Sequence, residues 1–264
     1  MLSLMAPVWR YRGFIISSIA NDLKLRVARS RLGSLWIVLQ PLAQALVYAI
    51  VLSNVLAAKI QGIENKYSFA IYLLSGMLCW SIFAEILQRS LTVFIDNAAL
   101  LKKMQFPRIC LPVIVVGSAL VNNLVLLAVV MIIVPVLGIV PSVSLLWIPA
   151  LLICTIALAS GIGLLLGTLN VFSRDVGQVV AVILQFWFWL TPIAYPASIV
   201  PNGFERVLAA NPVTALVKAY HAVILYGQAP DLRSLMFPVL FSLVVLVLSL
   251  VVFRRASPEM VDAL

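Results

Sequence analysis

The sequence predicts an all-α integral membrane protein with six transmembrane helices, an amphipathic interface helix ahead of the first and two short re-entrant or interfacial helices in the last outer loop. Three observations carry that prediction. Of 264 residues, 64% are apolar and 10% charged, against roughly 45–50% and about 25% in soluble domains. The mean hydropathy is +1.14. Six stretches each approach or exceed the roughly 20 residues that a helix needs to cross the hydrocarbon of a bilayer. This composition excludes a disordered chain, a collagen and a secreted disulfide scaffold.

The first element is a basic helix over residues 14–31, in which Ile16, Ile19, Leu23 and Val27 recur at steps of three and four and so share a face. Asn21, Lys24, Ala28 and Arg31 point the other way. Such a helix lies in the membrane interface with its cations near anionic lipid, either as a plain anchor or as a platform for a cytoplasmic partner. The spans follow at 35–58, 69–91, 109–136, 145–171, 176–195 and 235–253. Pro41 falls in the first turn of its span, where the missing N–H has no intrahelical partner. That span is longer than a signal-peptide core and reads as a retained anchor.

The 18 Lys and Arg against 9 Asp and Glu would point to nucleic acid in a soluble chain. Here they set orientation. With the N-terminus inside, Arg10, Arg12, Lys24, Arg26, Arg29, Arg31, Arg89, Lys102, Lys103, Arg108, Arg174, Arg254 and Arg255 are cytoplasmic, and only Lys59, Lys66, Arg206, Lys218 and Arg233 are outside. Both termini are therefore expected in the cytoplasm.

Three loops stand out. Asp96 to Arg108 is short and basic, and Pro107 ends any helix at or before Phe106. It has room for about two turns, or for a plain solvated connection. Val171 to Val176 is a tight turn that sets Arg174 beside Asp175. From Pro196 to Asp231 the apolar pieces are too short to cross and read as two helices joined at Asn211-Pro212. No repeat or linker divides the chain, which reads as a single domain.

Little in the sequence supports catalysis. His221 is the single histidine, and only Glu85 and Asp175 of the nine acids lie outside loops and termini. Glu85 is one turn from Arg89 inside a span; the two either satisfy each other or mark an ion relay. Cys79, Cys110 and Cys154 are odd in number and widely spaced, and read as buried thiols with no metal-ligand spacing. No Gly precedes a Lys, so the chain has no Walker A loop. Ala159, Gly163 and Gly167 give the fourth span a small face for close helix packing, within the chain or across a dimer. Phe186, Trp187, Phe188, Trp189, Pro192 and Tyr195 crowd the outer half of the fifth span, where the four aromatics in a row go round every side so that some face inward, with Trp80 and Phe83 in the second span. Aromatic belts explain many such residues, whereas inward rings suit the apolar faces of sugars.

Several short segments, in order along nearly the whole chain, carry a resemblance. They are Asp22 to Arg26, Ser30 to Trp36 with Pro41-Leu42, Gly76 to Trp80, Lys103 to Pro107, Arg174 to Val176, Trp189 to Ile193 with Tyr195-Pro196, and Asn211-Pro212. On a six-span pattern they resemble the permeases of type-2 ABC exporters that move polysaccharides, the O-antigen, teichoic-acid and capsule exporters among them. The resemblance implies a homodimer enclosing a channel, in the inner membrane if the host is Gram-negative. It also implies two separately encoded ATPase subunits that bind ATP and Mg, no cofactor in this chain, and a polysaccharide carried on undecaprenyl pyrophosphate.

By the same resemblance, Asn97, Lys102, Lys103, Gln105, Phe106, Pro107 and Arg108 belong to the coupling loop that meets the ATPase. Pro196, Pro201, Asn211 and Pro212 frame outer gate helices. Arg12, Lys24, Arg26 and Arg29 are expected to dock the pyrophosphate, and Trp80, Phe83, Trp187, Trp189 and Tyr195 to contact sugar. Two other readings stay open: an ABC exporter of a small molecule or drug, and an ion-coupled carrier acting alone through Glu85.

Overall fold

The computed structural model describes residues 8–28, 35–36, 39, 42–43, 68–103, 107–138, 140–196, 203 and 205–263. The expected first span, 35–58, lies almost wholly outside them, as do Arg29, Gln105, Phe106 and Pro201. Every regular element among the described residues is helical. In chain order these are α1 (Arg12–Ala28), α2 (Ser68–Asp96), α3 (Ala98–Lys103), α4 (Cys110–Val136), α5 (Ile148–Phe172), α6 (Asp175–Trp189), α7 (Glu205–Ala210), α8 (Pro212–Ile224), α9 (Leu232–Ala256) and α10 (Met260–Ala263), with a 3-10 turn at Val143–Trp147 leading into α5.

Four helical segments are long and apolar enough to cross a membrane: Ser68–Asp96, Cys110–Val136, Val143–Phe172 and Leu232–Ala256. They coincide with the expected spans 69–91, 109–136, 145–171 and 235–253. The expected span 176–195 is realised as the 15-residue α6, about 22 Å of helix. It stops six residues early because Pro192 turns Thr191 away from helical backbone. Thr191 closes the end by donating its hydroxyl to the Trp187 carbonyl at 2.8 Å.

Helix α5 is the centre of the packing, with α2 on one side and α9 on the other. Its glycines decide how closely those neighbours approach. A Cβ on Gly163 would stand 2.9 Å from the Ser90 side chain of α2, one on Gly167 would overlap the Ser90 carbonyl oxygen, and one on Gly161 would stand 2.9 Å from the Leu246 backbone of α9. The small face expected from the sequence therefore works within the chain, as small residues do where helices touch in membranes.

Helix α1 packs on α4 through a face turned by one residue from the expected one. Ile15 is buried and Ile16 is 64% exposed, while Ile19 fills the space over Gly117. The groove that Gly117 opens in α4 sets the rotation of α1 here, and apolar periodicity alone does not reveal it.

The described basic residues of four segments gather at one end. Lys102 of α3, Arg108, Arg174 before α6, and Arg254 and Arg255 of α9 meet round a small core in which Phe94 stacks on Phe253 with ring centroids 5.7 Å apart. Leu101 and Met260 are buried beside them. Arg108 donates to the Ser257 hydroxyl at 2.9 Å, so the α3 loop is braced by the C-terminal segment.

Candidate functional site

Helix α2 carries a polar assembly near each end and an aromatic seam between them. Near the basic end, Arg89 donates to Asp22 of α1 at 2.9 Å and to Glu85 at 3.5 Å. Asn122 of α4 donates its side-chain amide to Glu85 at 2.8 Å. The expected Glu85–Arg89 pair is present at its helical spacing, but the shorter contact ties α2 to α1. One guanidinium thus serves two carboxylates, and the group joins three helices.

At the far end, the Tyr72 hydroxyl lies 2.9 Å from the Pro192 carbonyl and 3.0 Å from that of Tyr195, positioned to donate to either. The buried His221 ring of α8 stacks on Tyr72 with centroids 3.7 Å apart. Its Nε2 lies 3.0 Å from the Tyr72 carbonyl, so the proton sits on Nε2 and donates. Gly76 makes room for this, since a Cβ there would lie 3.0 Å from Nε2. Helix α8 is thereby clamped to α2.

Between these ends the aromatic rings interlock. Trp80 packs edge-on to Phe188 at 5.5 Å and Phe83 edge-on to Trp187 at 5.2 Å. Trp80 and Phe83 are buried in this seam between α2 and α6, whereas Trp189 is 55% exposed. Tyr195 is half-buried, and its hydroxyl donates to the Trp189 carbonyl at 2.8 Å. Of the five rings expected to contact sugar, Trp189 thus offers the most open surface, and Trp80 and Phe83 hold the helices together.

Asn211-Pro212 forms the start of α8 in the way its residue types favour, Asn as N-cap and Pro at the first helical position. The Asn211 Oδ1 accepts from the Val213 N–H at 3.0 Å and from the Trp187 indole at 2.9 Å, and its amide donates to the Thr191 hydroxyl at 3.0 Å. One side chain ties α8, α6 and the turn between them. Beside it lies an apolar groove of about 370 Å³, lined by Ile183, Phe186, Trp187, Leu190, Val207 and Ala210 among others.

The other expected residues are more scattered. Arg12 lies over the Trp9 ring at 5.0 Å and Lys24 is exposed, whereas the side chain of Arg26 is outside the described set. Asn97 breaks α2 from α3 and donates to the Val93 carbonyl at 2.8 Å. Lys102 is exposed, Pro107 and Pro196 are half-buried, and the Lys103 side chain is not among those described. Arg174 and Asp175 are both exposed at the head of α6, where an acid in the first turn suits the helix dipole. Asn170 secures that turn, donating to the Leu91 carbonyl and accepting from the Gly177 N–H, each at 2.7 Å.

The profile of the ABC-2 type transporter family matches residues 15–225. The chain belongs to the ABC-2 type transporter family. It is 29% identical over 266 residues to the O-antigen export system permease protein RfbA of Myxococcus xanthus, covering 100% of both chains. It is 30% identical to the RfbA of Klebsiella pneumoniae over 78% of each chain. It is also 26% identical to the polysialic acid transport protein KpsM of Escherichia coli, over 92% of this chain and 93% of that protein.

In this ABC-2 chain, sequence reasoning missed Asp22, Asn122, Tyr72 and the clamping role of His221. Asparagines and a lone histidine in so apolar a chain were the available signal, because buried polar groups require partners. Asn211 gives a direct check. Asn211→Ala removes a helix cap and leaves the Trp187 indole without its acceptor, a loss of about 2 kcal/mol. The expected result is a lower thermal midpoint in detergent, with Asn211→Asp retaining most of the cap. An unchanged midpoint for Asn211→Ala would show that these bonds are replaced by others.

Proposed function

We propose that this chain is the transmembrane subunit of an ATP-driven exporter that moves a polysaccharide linked to undecaprenyl pyrophosphate from cytoplasm to periplasm. Two copies form the channel, and two separate ATPase subunits bind ATP and Mg on the cytoplasmic side. The observation that carries the reading is the full-length similarity to a permease named for O-antigen export, supported by a second relative named for polysialic acid transport. The basic end then faces the cytoplasm of an inner-membrane protein, in keeping with the positive-inside bias.

In this reading α3 and residues 104–108 meet the ATPase, and the brace from Arg108 to Ser257 supports the loop that takes the load. Arg12, Lys24, Arg26 and Arg29 receive the pyrophosphate, the one strongly anionic group such a substrate must carry. Helices α7 and α8 close the channel outside, with Asn211 and Pro212 at their junction.

Affinity purification from native membranes, with mass spectrometry and an ATPase assay, tests the proposal. A P-loop ATPase should be recovered in about equal amount and lost when Lys102, Lys103 and Phe106 are altered. A chain that purifies alone after crosslinking in the membrane, and whose transport depends on Glu85 instead, would overturn it.

A further inference from the structure

Helix α9 reaches the basic end at Arg254 and Arg255, and Ser257-Pro258 stops it. The Ser257 N–H closes the last turn on the Phe253 carbonyl at 2.8 Å, and proline cannot continue a helix. The chain then turns back. The Glu259 N–H donates to the Ala256 carbonyl at 3.1 Å, and α10 packs against both α3 and α5. Pro258 and Glu259 are exposed, whereas Met260 is wholly buried. Its side chain belongs to the small core formed with Phe94 of α2, Leu101 of α3, Leu111 of α4, Val171 of α5 and Phe253 of α9. One apolar anchor, preceded by exposed residues, thus reaches the point where these helices converge.

The loop it reaches has little to hold it otherwise. Helix α3 has six residues, Ala98–Lys103, and a helix of that length has little stability of its own in water. Asn97 separates it from α2, so its direction depends on what it leans on. Among the described helices it packs on α2, its chain neighbour, and on α10. The far end of the same loop is held too, because Arg108 donates to the Ser257 hydroxyl at 2.9 Å. Residues 257–263 therefore grip the α3 loop at both ends. Through the core at Val171 they also grip α5 just before the turn at Arg174, where Asn170 bonds to the Leu91 carbonyl and the Gly177 N–H.

We propose that residues 257–263 are a strap that joins the α3 loop, the Arg174 turn and the end of α9 into one body. Force applied to the loop by the ATPase then passes into α5 and α9, where without the strap it would swing α3 about Asn97. The inference rests on the reading of the chain as the permease of an ATP-driven exporter. Ser257 and Met260 are positioning residues in it: they act through the loop, and their loss uncouples hydrolysis from transport.

The test uses the chain with its ATPase in membrane vesicles, measuring ATP hydrolysed and polymer exported side by side. A chain lacking residues 257–264 should still recover the ATPase in equal amount and hydrolyse ATP, but should lose most of its export per ATP. Met260→Ser should shift the strap towards its undocked form by about tenfold or more, the factor that burial of one methionine is worth, and lower the same ratio. Met260→Leu, of similar volume, should keep it. A merely structural role would lower the amount of folded protein, and with it hydrolysis and export together, leaving export per ATP unchanged. An unchanged ratio in the truncated chain overturns the proposal, and should that chain not accumulate, equal ratios for Met260→Ser and Met260→Leu do the same. Loss of the ATPase from the truncated chain would make residues 257–263 part of the docking surface, and the proposal would again be wrong. Failure of the exporter reading itself appears separately, as absence of polymer export by the wild-type chain with its ATPase.

Discussion

Gly167→Ala should sharply reduce the amount of folded protein in the membrane, and no change in Ser90 should restore it. A single methyl at residue 167 overlaps the carbonyl oxygen of Ser90, which is backbone in the middle of a helix and cannot rotate away. Relief requires α2 to move off α5, and α2 also holds the aromatic seam, the Tyr72–His221 clamp and the Arg89 group. Overpacking a well-fitted core costs about 1–3 kcal/mol, and the upper part of that range applies where the obstacle is backbone. It outweighs the roughly 1 kcal/mol that alanine gains over glycine as a helix former.

Gly163→Ala provides the control, because its methyl would meet the Ser90 side chain at 2.9 Å. Ser90→Gly removes that obstacle and should bring Gly163→Ala back near the wild-type melting temperature. The same change leaves the carbonyl in place and should do nothing for Gly167→Ala. Thermal unfolding in detergent, followed by size-exclusion of the remaining monodisperse protein, separates the two. Equal rescue of both variants would mean that the helices adjust by sliding and that backbone contact does not limit their approach.

The long spans are legible in the sequence because long apolar runs decide which segments of such a chain leave water, and four of the expected spans match described helices to within a few residues. The small face of α5 is legible too, although its partner is not: a stripe of glycines says that something comes close without saying what. The end of α6 departs from the expected one because hydropathy runs on through Leu190 to Tyr195, while helix geometry is set by Pro192. The face of α1 departs by one residue for a related reason, since periodicity finds an apolar side but the bound face is chosen by the groove at Gly117 and the charge of Arg89.

The site is harder to read. In sequence the aromatic residues are alike as candidates for sugar, yet the same ring type serves the seam at Trp80 and Phe83 and faces outward at Trp189. Only burial separates these roles, and burial is a property of the partner helix.

The Arg89 group gives the second large effect. Arg89→Met should destabilise the chain by about 2–3 kcal/mol, less than the 3–5 typical of a fully buried pair because its side chain is 25% exposed. The cause is not the lost attraction by itself. Asp22 and Glu85 both accept from this guanidinium, and its replacement takes away the cation placed between their like charges, while the Asn122 amide still donates to Glu85. Neutralising all three positions removes the repulsion as well as the attraction. The triple variant Asp22→Asn, Glu85→Gln, Arg89→Met should therefore regain most of the lost stability, with residue 85 still able to accept from Asn122. A cycle of the single, double and triple variants by detergent unfolding measures the coupling. Recovery in the triple variant would show that the group sets the position of α1 through balanced charge, and its polymer export then reports whether that tie is needed for work as well as for folding. A triple variant as unstable as Arg89→Met would show that the guanidinium holds α1 by its hydrogen bonds and stem packing, with the carboxylates secondary.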